Sequence, residues 1–79
     1  MGKVVVLSGG SRGLGLHLVE HLLSKGCTIC TFARNSTSDV ERLEETHKES
    51  FMFRKLDSRD IDGTKQYIRD IVERFGRID

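Results

Sequence analysis

The sequence predicts an α/β fold in which a parallel sheet lies between layers of helices. Two observations support this prediction. Short runs of apolar and β-branched residues alternate with longer segments whose apolar residues recur at helical spacing, and the connections between them are short. Strand–helix units joined in this way cross over with a right hand, so their strands run parallel.

The size and composition of the chain suit one small soluble domain. The chain has 79 residues, of which 37% are hydrophobic and 32% are charged, and these values argue against disorder. The formal net charge is +1, so no overall basic field favours a nucleic-acid partner. The apolar runs are too short to span a bilayer, and no targeting signal is evident. We therefore expect a cytoplasmic protein with no nucleic-acid or membrane partner.

The first strand and the turn after it organise the chain. The first predicted strand covers residues 3–8 and holds an unbroken apolar run at residues 4–7, which is typical of a strand covered on both faces. A turn with the spacing Gly9-x-x-x-Gly13-x-Gly15 follows, and a helical pattern over residues 14–25 begins at once. Glycines let the backbone approach a phosphate, and a helix start supplies unpaired N–H groups and a positive dipole end. This context predicts a dinucleotide-binding strand–turn–helix unit.

The glycine spacing differs from the two commonest phosphate-binding loops. It is longer than Gly-x-Gly-x-x-Gly, and no Gly-Lys-Ser/Thr of a Walker A loop follows. The longer turn lets Ser11 and Arg12 flank the adenosine side of a nucleotide. We expect Gly13 to leave room for a pyrophosphate and Gly15 to let the helix lie close to the sheet.

Two further strand–helix units follow along the chain. The second helix is predicted to begin with a capping box, in which Ser38 is the N-cap and Glu41 is the third helical residue. Gly26 and Gly76 are placed to end the first and third helices. The predicted bounds are 27–33 for the second strand, 38–48 for the second helix, 51–56 for the third strand and 59–75 for the third helix, with 77–79 opening a fourth strand.

Apolar spacing predicts the buried face of each helix. The second helix has only two main apolar anchors, and its many acidic residues are expected to face solvent. The predicted core residues are Leu14, Leu18, Val19, Leu22 and Leu23 in the first helix, Val40 and Leu43 in the second, and Ile61, Ile68, Ile71, Val72 and Phe75 in the third.

Neither the cysteines nor the histidines indicate a redox or metal site. Cys27 and Cys30 lie three residues apart on the second predicted strand, so their side chains point to opposite faces and cannot pair. His17 and His21 have the spacing of a helical metal chelate, but no third ligand is evident. We expect two buried or half-buried thiols and no metal.

The predicted topology leaves one edge of the sheet open. In a doubly wound arrangement the strand order is 3-2-1, with a fourth strand next to the first. Without that fourth strand the very apolar first strand becomes an exposed edge, which invites pairing with another chain. We therefore expect either that the chain is a fragment or that a partner covers residues 4–7.

The motifs described above resemble the classical short-chain dehydrogenase/reductase family over essentially the whole chain. Residues 7–15 look like the family's Thr-Gly-x-x-x-Gly-[Ile/Leu]-Gly cofactor motif, with Ser8 in place of Thr. Residues 32–35 resemble the end of its second strand, residues 56–58 its adenine-ring aspartate motif, and residues 75–79 the segment before its fourth strand. The resemblance implies a three-layer Rossmann-type sheet, here incomplete, in a protein similar to 3-oxoacyl-carrier-protein reductases.

Charge at the end of the second strand predicts which nicotinamide cofactor is bound. NAD enzymes place an acidic residue there to take the ribose 2′-hydroxyl, whereas this chain has Ala33-Arg34-Asn35. Arg34 and Arg12 would suit a 2′-phosphate by charge and by bidentate geometry, so we predict NADP. The alternative is that both are ordinary surface arginines. Asn35 and its neighbours Ser36 and Thr37 could add hydrogen bonds to that phosphate.

The complete predicted cofactor site joins the glycine turn to the ends of the second and third strands. The resemblance implies that Asp57 accepts a hydrogen bond from the adenine amino group, and its alternative role is to cap the third helix. The predicted residues are Ser8, Gly9, Ser11, Arg12, Gly13, Leu14, Gly15, Arg34, Asn35, Asp57 and Ser58.

The catalytic residues that the resemblance implies do not occur in these 79 residues. The family uses a serine, a Tyr-x-x-x-Lys pair and an asparagine, but the residue four after Tyr67 is Ile71. We therefore expect Tyr67 to be a half-buried helix residue. We interpret residues 1–79 as the N-terminal part of a single NADP-binding domain in a homo-oligomeric oxidoreductase. The alternatives are a non-catalytic NADP-binding regulatory module and an interaction module.

Overall fold

The computed structural model describes residues 2–79 as three strands alternating with three helices. The predicted order of these six elements is confirmed, and their boundaries differ by up to two residues, but residues 77–79 do not form the strand that they were predicted to open. The second helix ends two residues earlier than predicted and the third begins two residues later. The elements are β1 (Val4–Ser8), α1 (Gly13–Ser24), β2 (Thr28–Ala33), α2 (Ser38–Thr46), β3 (Phe51–Lys55) and α3 (Ile61–Phe75).

The three strands form one parallel sheet in the predicted order, with β2 in the middle. Val4 of β1 lies beside Thr28 of β2, and Ile29 lies beside Phe51 of β3. Parallel strands all present their carboxyl ends at one edge of the sheet. The loops that follow the three strands, which carry all the predicted site residues outside β1 and α1, therefore meet at that edge.

Each face of the sheet carries its own apolar core. On one face α1 and α2 pack through Val19, Leu23, Val40 and Leu43 against Ile29 and Phe51. On the other face α3 packs through Tyr67 and Ile71 against Val4 and Cys30. Cys27 packs with the first core and Cys30 with the second, so the two thiols lie on opposite faces as predicted.

The buried stripes of α1 and α3 are narrower than predicted, although the predicted core residues Val19, Leu23 and Ile71 are confirmed as buried. Leu14 is 87% exposed and Leu18 is 47% exposed, whereas Val19 and Leu23 are buried. On α3, Ile61 and Val72 are exposed, and Tyr67 is completely buried rather than half-buried. Apolar residues occur on more than one side of α1, so periodicity alone does not fix which stripe meets the sheet.

A threonine rather than the predicted serine caps α2. The Thr37 hydroxyl accepts a hydrogen bond from the Val40 N–H at 3.2 Å, and Ser38 is the first helical residue. Asp60 caps α3 by accepting from the Gly63 N–H at 2.9 Å, so the alternative in which Asp57 caps that helix is wrong. Gly26 and Gly76 follow α1 and α3 with positive φ, as predicted.

The last residues of the chain lie beside the first residue of β1. The Asp79 N–H donates to the Val4 carbonyl at 2.8 Å, and the Val4 N–H donates to Asp79 Oδ2 at 2.8 Å. This is the side of β1 on which a fourth strand was predicted. Within residues 2–79, β1 pairs in the sheet with β2 alone. The predicted partner for this edge and the predicted homo-oligomer stay predictions.

None of the helices described combines the length and the apolar character that crossing a bilayer requires.

Candidate functional site

Three hydrogen bonds hold the glycine turn between β1 and α1 against neighbouring segments. The Gly9 N–H donates to the Phe32 carbonyl of β2 at 2.9 Å, and the Gly10 N–H donates to Thr31 Oγ1 at 3.0 Å. From the loop before α2, the Thr37 hydroxyl donates to the Ser11 carbonyl at 2.8 Å. Three consecutive residues of the turn are therefore fixed by partners that lie more than 20 residues away in sequence.

Close contacts leave no room for a side chain at two glycines. A Cβ on Gly15 would lie 2.1 Å from the Gly9 carbonyl oxygen, and a Cβ on Gly10 would lie 2.5 Å from Thr31 Oγ1. The prediction that Gly15 brings the helix close to the sheet needs correction, because Gly15 packs on the turn itself. Gly10 is the residue that approaches β2.

The start of α1 offers unshielded N–H donors. Arg12 is the N-cap residue of α1, and its side chain makes no cap hydrogen bond because a guanidinium group has no acceptor atom. The first turn of the helix contains no acidic residue. Gly9 and Gly13 have φ values of 72° and 62°, and nothing lies within 4 Å of a Cβ built on either residue. These glycines border open space at the positive end of the helix dipole, where an anion is favoured.

Two clefts open beside the turn at the carboxyl edge of the sheet. The first has a volume of about 490 Å³ and lies between the ends of β1, β2 and β3. The second has a volume of about 400 Å³ and lies between the turn and the loop before α2. The first is lined by Ser8, Gly9, Phe32, Ala33, Arg34, Leu56, Asp57, Ser58 and Arg59, and the second by Gly9, Ser11, Arg12, Ala33, Arg34, Asn35, Ser36 and Thr37.

Most of the predicted site residues line these two clefts. Gly13, Leu14 and Gly15 line neither, because they form the first turn of α1 beside the clefts. Arg34 borders both clefts, and Arg12 borders the second. The expectation that the two arginines lie near one another across the loop therefore agrees with the geometry.

Asp57 is held by Arg59 at the mouth of the first cleft. Arg59 Nε donates to Asp57 Oδ1 at 3.1 Å, Arg59 Nη2 donates to Oδ2 at 2.9 Å, and the Arg59 N–H also donates to Oδ1 at 2.9 Å. These hydrogen bonds hold the pKa of Asp57 well below its usual range, and the Arg34 charge adds to that effect. Asp57 is thus a fixed, ionised acceptor facing the cleft.

The site predicted from the sequence did not include Phe32, Ala33, Leu56 and Arg59, although all four line a cleft. A signal for Arg59 was present, because Asp side chains commonly accept from the backbone N–H two residues further on. Phe32 and Leu56 lie in the two segments that resemble the family's motifs, but nothing in the sequence showed that their side chains line a cleft. As apolar residues of a strand and a strand end, they look the same in the sequence whether they line a core or a cleft.

Within residues 2–79 no three histidine, cysteine or acidic side chains gather into a possible metal site. Tyr67 does not face the clefts. It is buried on the α3 side of the sheet, and its hydroxyl donates to the Thr31 carbonyl at 2.7 Å.

Comparison with known proteins identifies the family. The model of the short chain dehydrogenase family matches residues 3–79. The chain belongs to this family. Both the family and the Rossmann-type α/β fold were predicted correctly from the sequence. The family is one of oxidoreductases that bind nicotinamide dinucleotides.

Individual relatives extend the comparison over the full chain. A benzil reductase ((S)-benzoin forming) of Saccharomyces cerevisiae is 30% identical over 81 residues, which cover 100% of this chain and 31% of the relative. A short-chain dehydrogenase structure from Streptomyces avermitilis superposes with a TM-score of 0.88 at 27% identity, covering 99% of this chain and 28% of that one. The structure of ElxO with NADP bound has a TM-score of 0.82 at 28% identity, covering 100% of this chain and 33% of that one. The chain thus spans about a third of the length of these proteins.

Proposed function

We propose that residues 1–79 are the NADP-binding N-terminal part of a single Rossmann domain in a short-chain dehydrogenase/reductase. The whole protein would reduce a carbonyl group or oxidise an alcohol. The observation that supports NADP over NAD is the second cleft. Arg12 and Arg34 both border it, and none of the eight residues that line it is acidic.

The charge pattern of the second cleft suits a phosphate on the ribose 2′-oxygen. Two guanidinium groups bind a phosphate monoester through several N–H donors and retain their charge at any physiological pH. A carboxylate at the same place would repel that phosphate and favour a free 2′-hydroxyl. The NADP bound by ElxO, a structural relative at 28% identity, agrees with this proposal.

The glycine turn suits the pyrophosphate of the same cofactor. The space beside Gly9 and Gly13 is open, so it can receive a pyrophosphate group. A side chain at either position would project into this space, which faces the N-terminus of α1. The uncapped first turn of that helix supplies N–H donors without a competing side-chain acceptor. Ser8 lines the first cleft and Ser11 the second, on either side of Gly9, and both are part of the proposed site.

The first cleft suits the adenine ring. Phe32 and Leu56 supply apolar walls, and Asp57 supplies an ionised acceptor for the exocyclic amino group. Oδ1 of Asp57 already accepts two hydrogen bonds from Arg59, whereas Oδ2 accepts one, so Oδ2 keeps a lone pair that can accept from the base. Ser58 borders the same cleft and is the last residue of the proposed site.

The chemistry divides between the cofactor and residues outside this chain. The nicotinamide ring, when bound, supplies or accepts the hydride. The residues described here bind the adenosine and pyrophosphate end and hold it in place. Tyr67 is the one tyrosine of the chain, and its hydroxyl is committed to a main-chain carbonyl inside the sheet, so it does not move the substrate proton.

Binding of cofactor fragments tests the proposal without depending on turnover. We expect the purified protein to bind 2′,5′-ADP more tightly than 5′-ADP when titrated by calorimetry. Arg34→Asp should lower the affinity for 2′,5′-ADP about 10- to 100-fold, because it removes a charged donor and adds a repelling charge. Its affinity for 5′-ADP should change much less.

The matched control is Arg69→Asp, which makes the same charge change on the exposed surface of α3, outside both clefts. This variant should bind both fragments as the wild type does. Equal affinity of the wild type for the two fragments, or equal weakening by the two substitutions, would contradict the choice of NADP.

A further inference from the structure

The Thr37 hydroxyl joins the two segments that carry the arginines of the second cleft. It donates its single proton to the Ser11 carbonyl at 2.8 Å, and its oxygen accepts from the Val40 N–H at 3.2 Å. Ser11 immediately precedes Arg12, and Thr37 ends the short loop that begins with Arg34. One side chain therefore ties the glycine turn to the start of α2.

The hydrogen bonds that Thr37 makes exclude the role expected from the sequence, which was to donate to the 2′-phosphate. A threonine hydroxyl has one proton to donate. Because that proton is directed to the Ser11 carbonyl, Thr37 has none left for a phosphate oxygen. Thr37 therefore does not act as a phosphate ligand, although it lies in the wall of the cleft.

We propose that Thr37 is a positioning residue that sets the separation of Arg12 and Arg34 and thereby the preference for a 2′-phosphorylated nucleotide. This inference rests on the proposed function. Arg12 is exposed, and Arg34 lies in a loop, so each guanidinium depends on its backbone for placement. A tether between the two backbones reduces the freedom that phosphate binding would otherwise have to remove.

The neighbouring contacts give the tether a rigid base on both sides. The turn is fixed to β2 through Gly9 and Gly10, and the α2 side is fixed by Val40, which is completely buried. The first end of the Arg34 loop follows β2, whose Phe32 carbonyl accepts from the turn, and the hydrogen bond from Thr37 to Ser11 holds the other end. Loss of that bond frees the α2 end of the loop while β2 and α2 stay packed.

The test compares two nucleotides on three variants of the purified protein. Thr37→Val removes both hydrogen bonds while keeping the shape of the side chain, and it should lower the affinity for 2′,5′-ADP about tenfold. The affinity for 5′-ADP should change less than about twofold, so the ratio of the two affinities falls. Thr37→Ser restores the hydroxyl and should restore the ratio.

A variant at the other end of α2 separates positioning from helix stability. Thr46→Val makes the same chemical change where the Thr46 hydroxyl donates to the Arg42 carbonyl, away from both clefts. It should leave the affinity ratio at the wild-type value. If Thr37 only capped the helix, Thr37→Val would reduce both affinities in parallel with the melting temperature, and the ratio would not move.

Two other results would contradict either the inference alone or the proposed function as well. If the wild type prefers 2′,5′-ADP and Thr37→Val keeps that preference, the inference is wrong and the proposed function stands. If the wild type shows no preference, the proposed function fails and the inference falls with it. Should Thr37→Val not fold, Thr37→Gly takes its place, because glycine is tolerated at an N-cap, adds no charge to the cleft and cannot donate to Ser11. It should lower the ratio as Thr37→Val does, and an unchanged ratio would contradict the inference.

Discussion

The starts of α1 and α3 share a glycine at the same helical position but present different surfaces. Each helix has a glycine as its third residue, Gly15 in α1 and Gly63 in α3. At α3 the side chain of the N-cap residue Asp60 accepts from the Gly63 N–H, whereas the N-cap residue of α1, Arg12, makes no side-chain cap. The start of α3 is therefore capped by its own side chain, and that of α1 is the one that we propose binds the nucleotide.

Different neighbours occupy the space that a side chain would need at these two glycines. A Cβ on Gly15 would meet a backbone oxygen, that of Gly9, at 2.1 Å. A Cβ on Gly63 would meet the end of the Asp60 side chain at 2.5 Å and Leu56 Cδ1 at 2.7 Å. Side-chain ends can rotate away, but the Gly9 carbonyl belongs to a turn that three hydrogen bonds hold in place. Tight packing at the start of α1 therefore preserves the shape of the turn, whereas tight packing at the start of α3 only accommodates the Asp60 cap.

The largest effect is expected from alanine at these two glycines. Gly15→Ala should destabilise the protein by about 3 kcal/mol, because the turn or the helix start must move. Gly63→Ala should stay within about 1 kcal/mol of the wild type, since the gain in helix propensity offsets the displacement of Asp60 and Leu56. Urea unfolding followed by circular dichroism measures both. Similar losses for the two variants would show that α1 and α3 tolerate a side chain at this position equally well.

The sequence was sufficient to predict the elements of this fold, because the signals for them are local. Apolar runs, glycines after helices and the alternation of strands with helices are all read within about 15 residues. The buried face of α1 was not predictable in the same way. Its leucines lie around much of the helix, so the choice of Val19 and Leu23 over Leu14 and Leu18 is made by the sheet against which α1 packs.

Long-range hydrogen bonds explain the remaining differences at the candidate site. Ser38 and Thr37 are both good N-cap residues, and sequence alone favoured Ser38 because Glu41 completes a capping box. In the structure Thr37 is the N-cap residue, and its hydroxyl also donates to the Ser11 carbonyl, 26 residues away in sequence. Glycine spacing predicted the turn correctly, but it could not show that Gly15 packs against Gly9 rather than against the sheet.

An intermediate effect is expected at the polar contact that joins α3 to the sheet. Tyr67→Phe removes the hydroxyl that donates to the Thr31 carbonyl and should cost about 1–2 kcal/mol at pH 7. Nucleotide affinity should not change, because Tyr67 lies outside both clefts. Thermal unfolding and calorimetry together check this expectation. A loss of affinity with preserved stability would mean that α3 acts on the nucleotide site.

The pH dependence of stability sharpens the same test. Burial raises the pKa of Tyr67 above its ordinary value of 10.0, and burial raises the pKa of Cys30 from 9.0 to about 11. The folded protein therefore holds these protons more tightly than the unfolded chain, so stability is complete below about pH 9 and falls as the pH rises. Tyr67→Phe has no tyrosine hydroxyl to ionise at this position, so it lacks that contribution to the loss of stability at high pH. The difference in the free energy of unfolding between the wild type and the variant should therefore shrink above pH 10. A constant deficit between pH 7 and pH 11 would contradict the assignment.

The smallest effect is expected at the cap of α3, and it bears most directly on the comparison of the two helix starts. Asp60→Ala should destabilise the protein by about 1 kcal/mol, which corresponds to a melting temperature lower by roughly 4–8 °C for a domain of this size. Saturating 2′,5′-ADP should raise the melting temperature of wild type and variant by the same amount, because a ligand bound at α1 stabilises both folded states equally. Differential scanning fluorimetry with and without the nucleotide measures both shifts. If the nucleotide stabilised Asp60→Ala less than the wild type, the start of α3 would contribute to binding, and the division between a satisfied helix start and an open one would not hold.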